Sequence, residues 1–392
     1  MNYFKLKTPG TVRFGFGSKE KLFKEIRKYG NEVLLLTDSS MNVFSELFDN
    51  LHLIMKEYDI NCAVESIVKD SSIETVDELC RKYGKKKLNS IVAIGGDDVI
   101  NTAKLLKLVL SSKKNSFEQM LKDIDHEFME FNLPLVIMPT APCVDKAVSA
   151  EAWCELNSSE HDYSNIKFLS LMPDIVIIDP ELCFSMSYKE IEESCMYILA
   201  VLIEIYVSLQ STVFSDLLAL EGIEKLSPCL EYMENKDDMP DSVKENVCYA
   251  SLLAGIASQN VEQGIIRGLS VSVRKYYNLP MAAISSALLY KCTLKNMQRI
   301  QFYDKHADSI EKYAKIGSVF SGIDYSYEKK DVLMRGVSEY LEELGEKLHA
   351  PSLSSLGVDR ADFYKISVEA NQFANPIELA DTEITDMLEA CL

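Results

Sequence analysis

The sequence predicts an α/β amino-terminal domain with a parallel sheet over residues 1–180, followed by an all-α domain over residues 181–392. Three observations predict it. Four short, nearly continuous apolar runs fall in the first 180 residues, the pattern of strands covered on both faces: Val33–Asp38 (VLLLTD), Ser90–Gly96 (SIVAIGG), Leu133–Thr140 (LPLVIMPT) and Asp174–Asp179 (DIVIID). Segments of helical period lie between them. Beyond Asp179 and Pro180 the strand signals stop.

In chain order, Thr11–Gly17 (TVRFGFG) reads as an exposed edge strand able to pair with a second copy of the chain, which makes a homodimer the expected assembly. Residues 19–30 (KEKLFKEIRKYG) read as a helix closed by Gly30, and residues 72–84 (SIETVDELCRKYG) as one closed by Gly84, because helices commonly end on a glycine. Strand alternating with helix implies right-handed crossovers and a parallel sheet. After residue 180, YKEIEESCMYILAVLIEIYVSL (188–209) and ENVCYASLLAGIASQNVEQGIIRGL (245–269) read as long amphipathic or wholly apolar helices. A cleft between the two domains is the expected place for a small-molecule ligand. The polar stretch 234–242 reads as a surface loop.

Composition narrows the class. The chain has 392 residues, 47% hydrophobic and 26% charged, which excludes disordered and small disulfide-stapled proteins. Its net charge of −19 repels phosphodiester backbones and anionic membrane surfaces, so no nucleic-acid partner is expected. No apolar run approaches the roughly 20 residues that span a bilayer; Cys195–Ile203, the longest candidate, runs into Glu204 and reads as a buried helix. The ten cysteines show no CxxC pair, and the first residues carry no signal-like apolar stretch, so a reduced, cytoplasmic setting is expected.

Eight motifs in register carry a resemblance: FGFGS (14–18), LLLTD (34–38), AIGGDDVINTAK (93–104), PTAPCVDKAVS (139–149), PDIVIIDPEL (173–182), IEIYVS (203–208), LLAGIASQN (252–260) and YYNLP (276–280). Together they resemble the iron-containing alcohol dehydrogenase family, within the dehydroquinate synthase-like fold. The resemblance runs over essentially the whole chain. It implies a dinucleotide-binding α/β domain, a helical domain that holds a divalent metal, and NAD-linked oxidation of a small alcohol, aldehyde or polyol.

The same resemblance exposes departures. The family holds its metal with an Asp and a His four residues apart on one helix, and with two histidines fourteen residues apart. The matching positions here are Tyr197, Val201, Arg267 and Met281, and Val271 replaces a further active-site His. A catalytic Zn²⁺ or Fe²⁺ needs about three donor side chains. Valine and arginine offer no lone pair, and a thioether suits a hard ion poorly. No metal is expected. The five histidines, His52, His126, His161, His306 and His349, are scattered and rebuild no ligand set.

The phosphate loop also departs. A GGGSxxDxAK loop in the family corresponds here to Gly95 through Lys104, with Asp97 and Asp98 where an anion would sit. Either carboxylate can serve as an N-cap of the following helix, which withdraws amides from a phosphate and repels it. NAD binding is expected to be weakened. By the resemblance, the cofactor contacts are Asp38, Gly95, Gly96, Asp98, Asn101, Thr140, Lys167 and Leu182. Asp38 at a strand end can bind a ribose 2′-hydroxyl and favour NAD over NADP, or can cap a helix in SSMNVFSELF (39–48). Lys146 and Asp145 can bind or polarise a substrate, or form an ordinary solvated pair. Cys143 has no His in its loop to activate it. Arg267 can stand in as a permanent cation for an alkoxide, carboxylate or phosphate, or can pair with an acidic neighbour or Tyr197. Two classes of function remain open: an NAD-linked oxidoreductase, possible without a metal, and a non-catalytic protein that keeps the fold for binding or assembly.

Overall fold

The computed structural model describes residues 5–38, 55–68, 71–112, 114, 116–123, 133–157, 162–184, 186–234, 239–302 and 307–392. The chain divides into two compact units, Lys7–Met186 and Ser187–Leu392, the latter grouped with residues 5–6. The division falls a few residues beyond the expected 180. The short helix Pro180–Cys183 stays with the α/β unit because Asp179 caps it, accepting the Glu181 amide at 3.2 Å, and also accepts the Lys19 amide at 3.1 Å.

In the first unit, β1 (Thr11–Phe14), β2 (Glu32–Thr37), β3 (Asn61–Ser66), β4 (Ser90–Gly95), β5 (Leu135–Pro139) and β8 (Ile175–Ile178) form one sheet in the order β1-β8-β5-β4-β2-β3. Every pairing is parallel. The four apolar runs are β2, β4, β5 and β8. Alternate residues divide between the faces, as strand geometry requires. Val33, Leu35, Val92, Ile94, Val136, Met138, Ile175 and Ile177 join Leu22, Phe23 and Ile26 of helix α1 (Leu22–Ile26) in one buried cluster. Leu34, Leu36, Ile91, Ala93, Leu135, Ile137, Val176 and Ile178 are buried as well. Each such side chain contributes roughly 1.5–3 kcal/mol of burial.

The remaining helices of this unit are α2 (Ile73–Tyr83), α3 (Asp97–Ser112), α4 (Phe117–Asp123), α5 (Asp145–Val148) and α6 (Pro180–Cys183). Helix α2 is capped by Ser72 and closed at Gly84, as expected, although Gly84 is right-handed. Residues 19–30 depart from the single helix expected: a 3₁₀ turn (Ser18–Lys21) precedes α1, which ends at Ile26 with Arg27 as its cap. Gly30 instead leads into β2 at φ +139°, where the Asn89 carboxamide occupies the space a Cβ would need and accepts the Asn31 and Glu32 amides.

Two strand features were not expected. β3 (NCAVES) lacks a continuous apolar run because it lies at the sheet edge, where all its residues are half-buried or exposed. β6 (Glu151–Asn157) and β7 (Asp162–Lys167) form a separate antiparallel hairpin. Thr11–Phe14 is an edge strand as expected, and Gly15 and Gly17 leave it through positive φ values.

The second unit is all helical: α7 (Tyr188–Val207), α8 (Val213–Leu230), α9 (Asp241–Ser258), α10 (Ile265–Tyr276), α11 (Met281–Ile300), α12 (Ala307–Ser321), α13 (Lys330–Lys347), α14 (Phe363–Glu369) and α15 (Asp381–Glu389). Helix α7 is its axis. It starts with a Ser187–Glu190 capping box, is buried on all sides from Cys195 onward, and packs against α8, α9, α10, α11 and α12. The segment 245–269 is two helices, broken at 259–264, with Gly264 as the cap of α10. Of the polar stretch 234–242, residues 235–238 lie outside the described residues, and Asp241 begins α9. Among the described residues no helix is long and apolar enough to cross a membrane.

Candidate functional site

In the α/β unit, five of the eight expected cofactor residues, Asp38, Gly95, Gly96, Asp98 and Thr140, gather at the carboxyl ends of β2, β4 and β5. Gly95 closes β4, and the Gly96 carbonyl accepts the Ile100 amide at 3.1 Å, the first intrahelical bond of α3. Gly96 is therefore the N-cap. Asp97 and Asp98, expected as caps, stand one residue further on in the first turn, where their charge meets the positive end of the helix dipole. The Asp38 carboxylate accepts the Gly96 amide at 3.1 Å. A side chain at Gly95 would meet that carboxylate at 2.7 Å and Val99 at 2.6 Å, so only glycine fits there. The segment 39–48, whose helix Asp38 could alternatively cap, lies outside the described residues.

Thr140 is buried, and its amide donates to the Gly95 carbonyl at 3.2 Å. Asn101 is buried and accepts the Trp153 amide at 3.1 Å, which ties α3 to β6. Lys167 is exposed on β7 and pairs with Glu151 at 3.0 Å. Leu182 belongs to the hydrophobic cluster beneath the sheet. Gly95, Gly96, Asp38, Asp98 and Thr140 thus share one sheet end, while Asn101, Lys167 and Leu182 take up packing or hairpin contacts.

The Asp145–Lys146 pair is not solvated. Both side chains are buried in α5, with Lys146 Nζ donating to Asp145 Oδ2 at 2.7 Å. Its place follows from Lys104, which the sequence presented only as the end of a motif. Lys104 is wholly buried, and its ammonium donates to the carbonyls of Lys146, Ser149 and Glu151 at 2.5, 2.7 and 2.9 Å. Burial pulls its pKa down to about 7, helped by the Lys146 charge and opposed by Glu151, Asp145 and Asp97. One turn on, Lys107 is buried as well and donates to the Met172 carbonyl at 2.8 Å and to Asp174 at 3.1 Å.

In the helical unit, Tyr197 and Val201 are buried on α7, Met281 is buried as the first residue of α11, and half-buried Arg267 lies in the first turn of α10. Glu204, one helical turn beyond Val201, is in the sequence simply the charge that ends an apolar run. It accepts the amides of Ile266 and Arg267 at 2.6 and 3.0 Å, so a buried carboxylate from α7 holds the amino end of α10. Asn375 accepts the Ile265 amide at 3.2 Å and exchanges two hydrogen bonds with Asn296. Burial raises the Glu204 pKa to about 7, against the Ile266 and Arg267 amides, the Arg267 charge and the Gly264 amide. A lone acidic residue inside an otherwise apolar helix was the available signal for this cluster.

Among the described residues, no group of three His, Cys, Asp or Glu side chains is placed to hold a metal ion. His349 is exposed just past α13 at φ +48°. His52, His126, His161 and His306 lie outside the described residues.

A parallel-sheet α/β unit followed by an all-helical unit is the architecture of the dehydroquinate synthase-like alcohol dehydrogenases. A crystal structure of 1,3-propanediol oxidoreductase superposes with a TM-score of 0.87 at 18% identity, covering 100% of both chains. Residues 9–180 match the model for iron-containing alcohol dehydrogenase, and residues 193–392 match the carboxy-terminal model of the Fe-containing alcohol dehydrogenase family. The chain belongs to that family. Its relatives include an alcohol dehydrogenase of Thermococcus barophilus, 26% identical over 99% of this chain and 98% of the relative. An NADPH-dependent butanol dehydrogenase of Clostridium saccharobutylicum is 25% identical over 91% of this chain and 87% of its own length.

Proposed function

We propose that the protein is an NAD-linked oxidoreductase of the alcohol dehydrogenase type, acting on a small alcohol, aldehyde or polyol without a divalent metal. The observation that carries the metal-free part is the donor chemistry at the family's ligand positions. Val201 is buried and has no lone pair, Arg267 brings a fixed positive charge, Met281 offers a thioether, and only the Tyr197 hydroxyl remains. These residues do not fit a resident Zn²⁺ or Fe²⁺, and no step is assigned to one.

The dinucleotide part is supported by the surviving Gly95-Gly96 turn, Thr140 beside it, and Asp38 at the end of β2. A carboxylate there suits a ribose 2′-hydroxyl and repels a 2′-phosphate, which favours NAD. Among similar proteins, one relative is named for NADPH and one solved structure for NADH. Homodimer formation along β1 and residence in a reduced, cytoplasmic compartment belong to the same proposal, the latter supported by ten free thiols.

A second reading, a non-catalytic protein that keeps the fold, is favoured by the Asp38–Gly96 bond. The amide that would face a phosphate already has a carboxylate on it, and Asp97 and Asp98 add negative charge alongside. Titration with NAD, elemental analysis of protein purified without chelator, and turnover assays with and without added Zn²⁺ or Fe²⁺ separate the readings. Metal-independent turnover with NAD supports the first. Absence of dinucleotide binding and turnover leaves the second, and a stoichiometric bound metal overturns the donor argument.

A further inference from the structure

Lys104 brings a charged group into the interior of the α/β unit, where an ammonium without partners is strongly disfavoured. An ammonium has three N–H donors. Here three backbone carbonyls, those of Lys146, Ser149 and Glu151, receive them, all from one stretch of chain. That stretch begins where Thr140 leaves β5 and ends where β6 starts. Its near end is held by the Thr140 amide on the Gly95 carbonyl. Its far end has the Asn101–Trp153 bond from the same helix α3. Between these two attachments, the Lys104 ammonium joins α3 to the turn at residues 146–151.

We propose that Lys104 is a positioning residue: its ammonium sets the place of the segment 140–151, and with it Thr140, Asp145 and Lys146, against the Gly95-Gly96 turn. The inference rests on the proposed reading of that segment as ligand-facing only for its functional meaning. Its structural content stands independently. One side chain donates to three carbonyls, those of Lys146 and Ser149 ahead of β6 and that of Glu151 at its first residue, so its removal takes a donor from several buried acceptors in one place and loosens that place first. Lys107 provides the contrast. It is as deeply buried on the same helix, yet it holds Met172 and Asp174 before β8.

Cys143 lies within the segment and is half-buried, whereas Cys62 on β3 is half-buried at the far edge of the sheet, and the other eight cysteines are buried. Maleimide labelling of the full-length protein, mapped by mass spectrometry, therefore reads the segment against an internal reference. Lys104→Met should speed labelling of Cys143 by about tenfold or more, as local opening predicts, with Cys62 unchanged. Lys107→Met should leave the Cys143 rate near that of the wild type.

Equal acceleration in both variants, equal acceleration at Cys62, or an unchanged Cys143 rate in folded Lys104→Met overturns the proposal. If Lys104→Met does not fold, Lys104→Gln, which retains two donors, takes its place in the comparison. Should neither fold while Lys107→Met does, the proposal also fails, because Lys104 is then a requirement of the whole unit. The labelling needs no dinucleotide, so a chain that binds no NAD defeats the functional reading and leaves this one to be judged separately.

Discussion

The carboxylate of Asp38 accepts the backbone N–H of Gly96 at 3.1 Å, tying the end of β2 to the turn that opens α3. The bond places a negative charge where β2 and β4, neighbours in the sheet, both end. Replacing Asp38 with Ala frees the amide and removes that charge. Affinity for NADP relative to NAD should then rise about tenfold, or roughly 1.4 kcal/mol. Isothermal titration of both dinucleotides reads the ratio, and no change in it would remove Asp38 from the ribose position.

Asp97 and Asp98 test the phosphate loop from the other side. The double substitution Asp97→Ser with Asp98→Ser withdraws two charges from the first turn of α3. NAD should bind about tenfold more tightly, with the gain shrinking as salt is added. Removing the carboxylates also costs the helix about 0.3–1 kcal/mol each through its dipole. Equal NAD affinity before and after, at low salt, would mean that these charges do not face the ligand.

The metal argument has its own reconstruction. Tyr197→Asp, Val201→His, Arg267→His and Met281→His together restore the family's donor types on α7, α10 and α11. The fourfold variant should retain Zn²⁺ through dialysis while the wild type retains none, as measured by plasma emission. A variant that keeps no ion would show that these four positions do not converge on a metal site.

Glu204 makes stability depend on pH. Its folded pKa is raised from 4.5 to about 7, chiefly by burial. The folded state therefore holds the proton more tightly than the unfolded one, so this contribution is complete below 4.5 and is lost as pH rises through about 7. The loss is on the order of 3 kcal/mol. Thermal midpoints should fall for the wild type relative to Glu204→Gln between about pH 5 and about pH 8. Parallel profiles would assign the carboxylate an unshifted pKa.

Gly317 sits where α12 passes the Leu333 backbone of α13, and a Cβ there would run into the Leu333 carbonyl. Gly317→Ala should destabilise the helical unit by about 2–4 kcal/mol despite alanine's better helix propensity. Gly336→Ala on α13 is the control, since the nearest atoms lie 4.0 Å from its added Cβ. Similar melting points for the two variants would deny the close approach.

Much of the fold was legible because strands buried on both faces write themselves as apolar runs, and β2, β4, β5 and β8 all do. β3 escaped because an edge strand is only partly covered and needs no continuous apolar run, and the β6–β7 hairpin because WCELN and DYSNIK carry polar residues on a ribbon outside the main sheet. The site was legible in its motif residues and less so in their partners. Asp38 and Gly95 stand out in sequence, but a bond between residues 58 positions apart does not. Asp145 and Lys146 look like an ordinary surface pair until Lys104, an apparent motif end, is found to bury the chain around them. Glu204 carried a signal, its charge within an apolar helix, yet its partners sit on a helix some 60 residues later.

The placement of β1 bears on how the protein is made. Thr11–Phe14 pairs with Ile175–Ile178, and Ser18 reaches the Ile178 carbonyl across 160 residues of chain. Strand β1 leaves the ribosome some 160 residues ahead of β8, the strand it pairs with. Until β8 emerges its backbone groups stay unpaired, and at about 5–20 residues per second that interval lasts on the order of ten seconds. A pause in translation before residue 175 would lengthen the exposure, whereas moving this strand to follow β8 would abolish it.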